Sequence, residues 1–244
     1  CPANKVNSIW LTEALKEALI EAANKGWEKP SRIRFWRSSM KSIIKKSLEN
    51  LEIDALVSRR TYSLFEKIKF LEEEVYPKEK GYVNGILAPN FTSTISNEPT
   101  PLPEAVRGDS LTISAITIGE LKKAQNWPIE FGDIFPIEDS INNDYLIPGL
   151  RLFSENRAMA LAAWFSSLEP VKLLIDNDRL ILEALEDDKW LVTDLPKNEA
   201  DELLKKFEEA RKTSYGYQFI SIQSNPFVEK FSGFWILQDI ELQI

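Results

Sequence analysis

The stretch "SRIRFWRSSMKSIIKKSLENLEIDALVS", residues 31–58, sets two short runs of alternating or continuous apolar residues on either side of a helical pattern. In the first run Ile33 and Phe35 alternate with Arg32, Arg34 and Trp36, the period of two that marks a half-buried strand. From about Ser38 to Asn50 the apolar positions are Met40, Ile43, Ile44 and Leu48, which fall on one stripe of a helix. "IDALVS" then reads as a second strand. A strand, a crossover helix and another strand are the parts of a parallel pair. Upstream, "NSIWLTEALKEALIEAANKG" repeats Leu11, Leu15, Leu19 and Ala22 at helical spacing, with Asn7 or Ser8 as cap and Gly26 at the C′ position. Downstream, "YSLFEKIKFLEEEV" predicts a third helix, ended by Pro77. The amino-terminal part therefore reads as an α/β unit with a mostly parallel sheet.

Residues 88–110 carry Pro89, Pro99, Pro101 and Pro103 among Ser, Thr and Asn, and read as a connector. We place the domain division there, as 1–98 and 99–244. The second part changes character. "SLTISAITI", "IPGLRLFS", "KWLVTDL", "YQFISIQ" and "GFWILQDIEL" predict strands, and "VKLLIDNDRLILEAL" predicts a hairpin turning at Asn177-Asp178. "NEADELLKKFEEARK" is an amphipathic helix with Asn198 as expected cap and Leu203, Phe207 and Ala210 on its stripe. The fold class expected is α+β: the parallel unit first, then a mixed or antiparallel sheet with helices.

Composition removes much chemistry. The 244 residues contain no histidine and one cysteine, Cys1, so a Ser-His-Asp triad, a Cys-His pair, HExxH zinc and an internal disulfide are all excluded. Neither GxxxxGK[ST] nor GxGxxG occurs. No metal site and no cofactor is expected, and no apolar run is long enough for a membrane span. The chain opens on Cys1 and enters a helix almost at once, which predicts that a segment precedes it.

Charge is distributed unevenly. The chain sums to −8, yet residues 31–69 hold ten basic and four acidic side chains, a net of +6. Arg32, Arg34 and Trp36 share one face of a strand, where two guanidiniums would flank a ring able to stack on a base. Lys41 and Lys45 lie four apart on the following helix, Arg37 precedes it, and Arg59 and Arg60 open the next. Two βα junctions of a parallel sheet lie close together, which would unite these cations on one phosphate-binding surface. The competing reading is a solvated face with Trp36 packed inward. An enzymatic alternative rests on "EDDKW", whose Asp187-x-Lys189 would share a metal with Asp176 or Asp178, although those acids sit in predicted turns.

Several phrases taken in order resemble a known family: "FWRSSMKSII", "VSRRTYSL", "PLPEAVRGDS", "WPIEFGDIFPIE", "IPGLRLFS", "ALAAWFSSLEP" and "GFWIL". Together they resemble the Tab-two/Atab-two RNA-binding proteins of cyanobacteria and chloroplasts. The resemblance implies single-stranded RNA as partner, in the form of messenger RNA leaders, and a role in translation of photosystem messages and photosystem biogenesis. It implies a cyanobacterial cytosolic or stromal location, at most peripheral to thylakoids, contact with translation or photosystem-assembly proteins, and no catalysis. The family's carboxyl-terminal Trp-Leu-Leu motif, implicated in RNA contact, maps onto Trp235, Ile236 and Leu237, with isoleucine in place of the first leucine. "GFWIL" itself is apolar on both faces, which favours burial of Trp235. Trp127 and Trp164 read as core or corner residues. Two rivals stay open, a protein-interaction scaffold in photosystem assembly and a metal-dependent nuclease.

Overall fold

The computed structural model describes residues 6–35, 40–82, 98–184 and 188–239. The chain divides into two compact units, Cys1–Ser63 and Leu64–Ile244. The first unit runs α1 (Ser8–Asn24), β1 (Arg32–Phe35), α2 (Lys41–Glu49) and β2 (Asp54–Val57), and α3 (Tyr62–Phe70) begins at its end. β1 and β2 are parallel, with Arg32 opposite Asp54 and Phe35 opposite Val57, as the strand–helix–strand pattern requires. Asn7 caps α1 by accepting the Trp10 N–H at 2.9 Å, and Gly26 takes the left-handed φ of +84° just past its end. α2 and α1 are joined by Ser47, a residue outside the apolar stripe, whose buried hydroxyl donates to the Ser8 carbonyl at 2.9 Å. α3 widens into a π-helical turn over Leu71–Val75 and ends in a 3-10 turn at Tyr76–Lys78, where Pro77 withholds its N–H.

The second unit holds two sheets. The larger has five strands in the order β4 (Ser110–Thr117), β6 (Leu146–Phe153), β10 (Tyr217–Gln223), β11 (Phe231–Gln238) and β5 (Ile129–Asp133). β4–β6 and β10–β11 are antiparallel, whereas β6–β10 and β11–β5 are parallel, so the sheet is mixed as expected. The smaller sheet runs β3 (Thr100–Pro101), β9 (Asp188–Asp194), β8 (Arg179–Ala184) and β7 (Pro170–Asp176). β7 and β8 turn at Asn177-Asp178, with Asn177 at φ 56°.

Four features differ from the sequence reading. Part of the expected connector is structured: β3 pairs with β9 and a 3-10 turn follows at Glu104–Val106. The short helix α4 (Ile118–Leu121) cuts the end of "SLTISAITI", because Thr117 and Glu120 form a reciprocal capping box. β5 and the helix α5 (Ala158–Leu168) were not expected: α5 is too uniformly apolar to show a period, whereas β5, Ile-Glu-Phe-Gly-Asp, alternates over only five residues. The cap of the helix α6 (Lys197–Thr213) is Pro196, two residues before the expected Asn198, which lies inside the helix. Pro196 has no side-chain acceptor, and its carbonyl accepts the Glu199 and Ala200 N–H groups at 2.9 and 3.0 Å.

The five-stranded sheet is buried on both faces. On one, Leu150, Leu152, Ile220, Ile222, Trp235 and Leu237 pack with α5, α6 and the smaller sheet. On the other, Ile147, Phe219, Phe234 and Ile236 pack against Ile118, Leu121, Ala124, Ile137 and Ile141. Trp127 closes this second layer, stacked on Phe231 at 5.2 Å and edge-on to Phe234 at 5.1 Å. Trp164 stands edge-on to Trp190 at 5.5 Å on the first. Two glycines make room for large rings. A Cβ on Gly149 would lie 2.3 Å from the Phe219 ring, and one on Gly233 would lie 2.4 Å from the Trp235 indole. β7, an edge strand, is tied to the larger sheet by Gln218 of β10. Its buried amide accepts the Leu173 N–H at 2.8 Å and donates to the Leu173 carbonyl at 3.0 Å. Without that amide each of those buried backbone groups would cost about 1–3 kcal/mol.

Two predictions follow from this packing. Trp235 is 2% exposed and lies against Phe165, so Trp235→Ala should cost about 3–5 kcal/mol of folding stability, measured by denaturant unfolding. The second concerns Asp109, which binds the Arg157 guanidinium at 2.7 Å, the Ser154 hydroxyl at 2.8 Å and the Glu155 N–H at 3.0 Å. The Arg157 contact first, then Ser154 and Glu155, hold its carboxyl below the ordinary 3.8. A lowered folded pKa contributes stability that is full above the ordinary value and lost as pH falls through the folded one. Asp109→Asn should therefore be less stable than wild type at neutral pH, and the difference should close on acidification below that range.

Candidate nucleic-acid interface

The β1–β2 register positions the basic residues. Paired residues of parallel strands share a face, which puts Arg32, Arg34, Asp54 and Leu56 on one side and Ile33, Phe35, Ala55 and Val57 on the other. The Ser58 N–H donates to the Phe35 carbonyl at 2.8 Å, so the chain leaves both strands at adjacent points on the same edge. Arg32 is exposed and Arg34 half-buried. Arg32 lies 3.8 Å from Asp54, with both side chains more than half exposed, an ion pair that contributes little and leaves the guanidinium available to another anion.

Lys41 and Lys45 are exposed on α2, and among the described residues neither comes within ion-pair distance of a carboxylate. Their neighbour Lys46 does, lying 3.5 Å from Glu49. Arg59 is half-buried. Arg60 corrects the sequence reading: it is 5% exposed, because Ser58, Arg60 and Thr61 all turn inward before α3. The Arg60 N–H donates to the Ser58 hydroxyl at 3.1 Å, which fixes that turn. Trp36 and Arg37 lie outside the described residues. The first unit thus keeps Arg32, Arg34, Lys41, Lys45 and Arg59 at or near its surface and takes Arg60 inside.

The Trp-Ile-Leu segment is placed differently. Trp235, Ile236 and Leu237 are all buried, Trp235 and Leu237 in one core layer and Ile236 in the other. All three side chains are enclosed, with 2% or less of their surface exposed. The tryptophan instead lies across Gly233 and beside the Phe165 ring, so the phrase "GFWIL" specifies packing.

The nuclease alternative finds no assembled site. Among the described residues no group of three His, Cys, Asp or Glu side chains is placed to hold a metal ion. Asp176 accepts from Arg179 at 3.2 Å and from Asn177 at 3.0 Å, the bonding of a hairpin turn. Asp187 lies outside the described residues. No helix among them is long and apolar enough to cross a membrane.

Residues 1–70 match the family model described as "RNA-binding protein Tab2/Atab2 N terminal", and residues 89–238 match that of the "RNA-binding protein Tab2/Atab2, C-terminal domain". The chain belongs to the Tab2/Atab2 family. It is 31% identical to "Protein TAB2 homolog, chloroplastic" of Zea mays and 30% identical to the protein of the same name in Arabidopsis thaliana, each over 98% of this chain. It spans 62% and 65% of the length of these two relatives. No solved structure matches the chain.

The two readings of the basic residues separate on stability. Lys45 sits on a solvated helix face, so Lys45→Ala should change unfolding free energy by no more than about 0.5 kcal/mol. Arg60 is enclosed, and Arg60→Ala should cost about 1–3 kcal/mol. Denaturant titration of the two variants side by side checks the assignment.

Proposed function

We propose that this chain binds single-stranded RNA without chemistry, through a phosphate-contacting surface on its amino-terminal part. The observation that carries the reading is the pair of exposed lysines, Lys41 and Lys45, uncommitted to carboxylates among the described residues, within a +6 segment of an otherwise acidic chain. Arg32, Arg34, Arg37 and Arg59 extend that surface, and Trp36 supplies a ring for stacking. Family membership supports RNA as the polyanion. Trp235, Ile236 and Leu237 serve the function from the core, by holding the carboxyl-terminal sheet in shape. We also propose that residues 1–98 and 99–244 act as two domains, the first contacting phosphates and the second, more acidic, restricting nonspecific attachment.

On the same reading the protein activates translation of photosystem messenger RNAs by holding an unpaired leader, and works in a cyanobacterial cytosol or a chloroplast stroma. Unpaired bases suit it, because an acidic protein gains little from generic phosphate attraction and depends on stacking and arginine planes for selectivity. RNA crosslinked to the protein in cells, sequenced together with the crosslinked peptide, identifies message and surface at once.

The salt dependence of binding is the direct test. Each phosphate contact to single-stranded RNA contributes about 0.7 to the slope of log affinity against log salt. The double variant Lys41→Ala/Lys45→Ala should bind a labelled single-stranded RNA more weakly, with a slope smaller by about 1.4 if both contacts are lost. Anisotropy titrations across a salt series measure it. A folded double variant with the wild-type slope would refute the placement of the interface on α2.

A further inference from the structure

The loop joining β10 to β11, residues 224–230, carries Phe227 with 94% of its surface exposed. Nothing in the packing requires a phenylalanine there, since its ring joins neither core layer. The loop is nevertheless held in place. Asn225 accepts the Phe227 N–H through its side-chain oxygen at 3.0 Å and the Val228 N–H through its carbonyl at 3.4 Å. Beneath, Gln223 is 2% exposed and bonds in two directions. Its Nε2 donates to the Val228 carbonyl at 2.5 Å, and its Oε1 accepts from Arg151 Nη2 at 2.9 Å. One buried amide therefore couples the loop that displays the ring to a guanidinium on β6.

That guanidinium, like Arg107, which donates to the Leu102 carbonyl at 2.7 Å, differs from three other arginines of its unit. Arg157, Arg179 and Arg211 each meet a carboxylate, respectively Asp109, Asp176 and Asp239. Among the described residues Arg151 meets none. It is half-buried and lies 5.2 Å over the Phe153 ring, which supports its plane from one side. In a chain with 38 acidic and 30 basic side chains, a supported arginine without an acidic partner is available to an anion from outside.

We propose that Phe227 and Arg151 form a single-nucleotide site, in which a base of single-stranded RNA stacks on the Phe227 ring and Arg151 holds a phosphate oxygen. The site rests on the RNA-binding reading above and adds to it a contact point in the carboxyl-terminal unit. Every base has a π face, so stacking on an exposed ring is tolerant of sequence, and a guanidinium offers a phosphate two parallel donors. A protein partner would need more apolar surface than the loop has. Apart from Phe227 the loop exposes Pro226, Glu229 and Lys230, whereas interface anchors sit within a desolvated apolar patch.

The test uses a fluorescein-labelled oligouridylate of twelve residues and a mixed-sequence single-stranded 20-mer, titrated by anisotropy. Phe227→Ala removes an exposed side chain and should leave unfolding unchanged while weakening RNA binding roughly five- to 150-fold, the usual worth of one stacked base. Phe227→Trp should bind at least as tightly as wild type. Arg151→Gln should lower the salt slope by about 0.7. Equal affinity of wild type and Phe227→Ala for both RNAs would overturn the site, and would leave the basic segment as interface if Lys41→Ala/Lys45→Ala is weakened in the same assay. Wild type that binds neither RNA would overturn the RNA-binding reading itself. Unchanged RNA affinity, with a protein from the native extract retained by wild type and lost by Phe227→Ala, would assign the ring to a protein interface and overturn the nucleotide site.

Discussion

β11 has apolar side chains pointing both ways, and this places the heaviest constraint on the carboxyl-terminal unit. A strand reading Phe-Trp-Ile-Leu cannot leave either face to water without exposing large apolar surface. One face is covered by α5, α6 and the smaller sheet, the other by α4 and the chain that follows it. Both covers must form before the strand is stable, so the two layers depend on each other through it. The glycines at 149 and 233 belong to the same constraint, because Phe219 and Trp235 occupy the volume their side chains would need.

Polar groups then close the places where this packing would leave backbone unsatisfied. Gln218 supplies the edge strand β7 with a donor and an acceptor that stand in for a neighbouring strand. Asp239, just past β11, accepts from Lys172 on β7 and from Arg211 on α6, and its N–H donates to the Gly216 carbonyl at 2.9 Å. At the opposite end Asp109 clasps Arg157 and Ser154, which joins the start of β4 to the end of β6. Many of the phrases that mark the family fall on these positions. Gly149 lies in "IPGLRLFS", Asp109 in "PLPEAVRGDS", and Gly233 and Trp235 in "GFWIL". They specify interior and clasps. The candidate contact residues Lys41, Lys45 and Phe227 are exposed, where packing imposes nothing on residue type.

The acidity of the chain fits such a division of labour. A net charge of −8 gives no general attraction for a polyanion, so contact must come from local cations and from rings that recognise unpaired bases. Uncommitted cations are then more telling than cation count. Lys46 has a carboxylate beside it and Arg60 is enclosed, although both belong to the basic segment.

The sequence by itself determined the parallel β1–α2–β2 arrangement, the α+β character, the hairpin at Asn177-Asp178 and the two-faced burial of "GFWIL". Each depends on a local period or on turn chemistry, which a single chain segment displays. It left α5 unread, because its apolar run carries no period, and β5 unread, because its alternation spans only five residues. It also placed Arg60 on the surface, since charge alone says nothing of whether a turn folds inward. Only the tertiary structure decided which cations keep carboxylate partners, because ion pairs such as Arg211–Asp239 join residues far apart in sequence. It alone linked Arg151 to the Phe227 loop, through an amide on a strand that the sequence reads as plain core. Such couplings depend on which strands become neighbours, and sheet order is set by packing across the whole unit, beyond any local pattern.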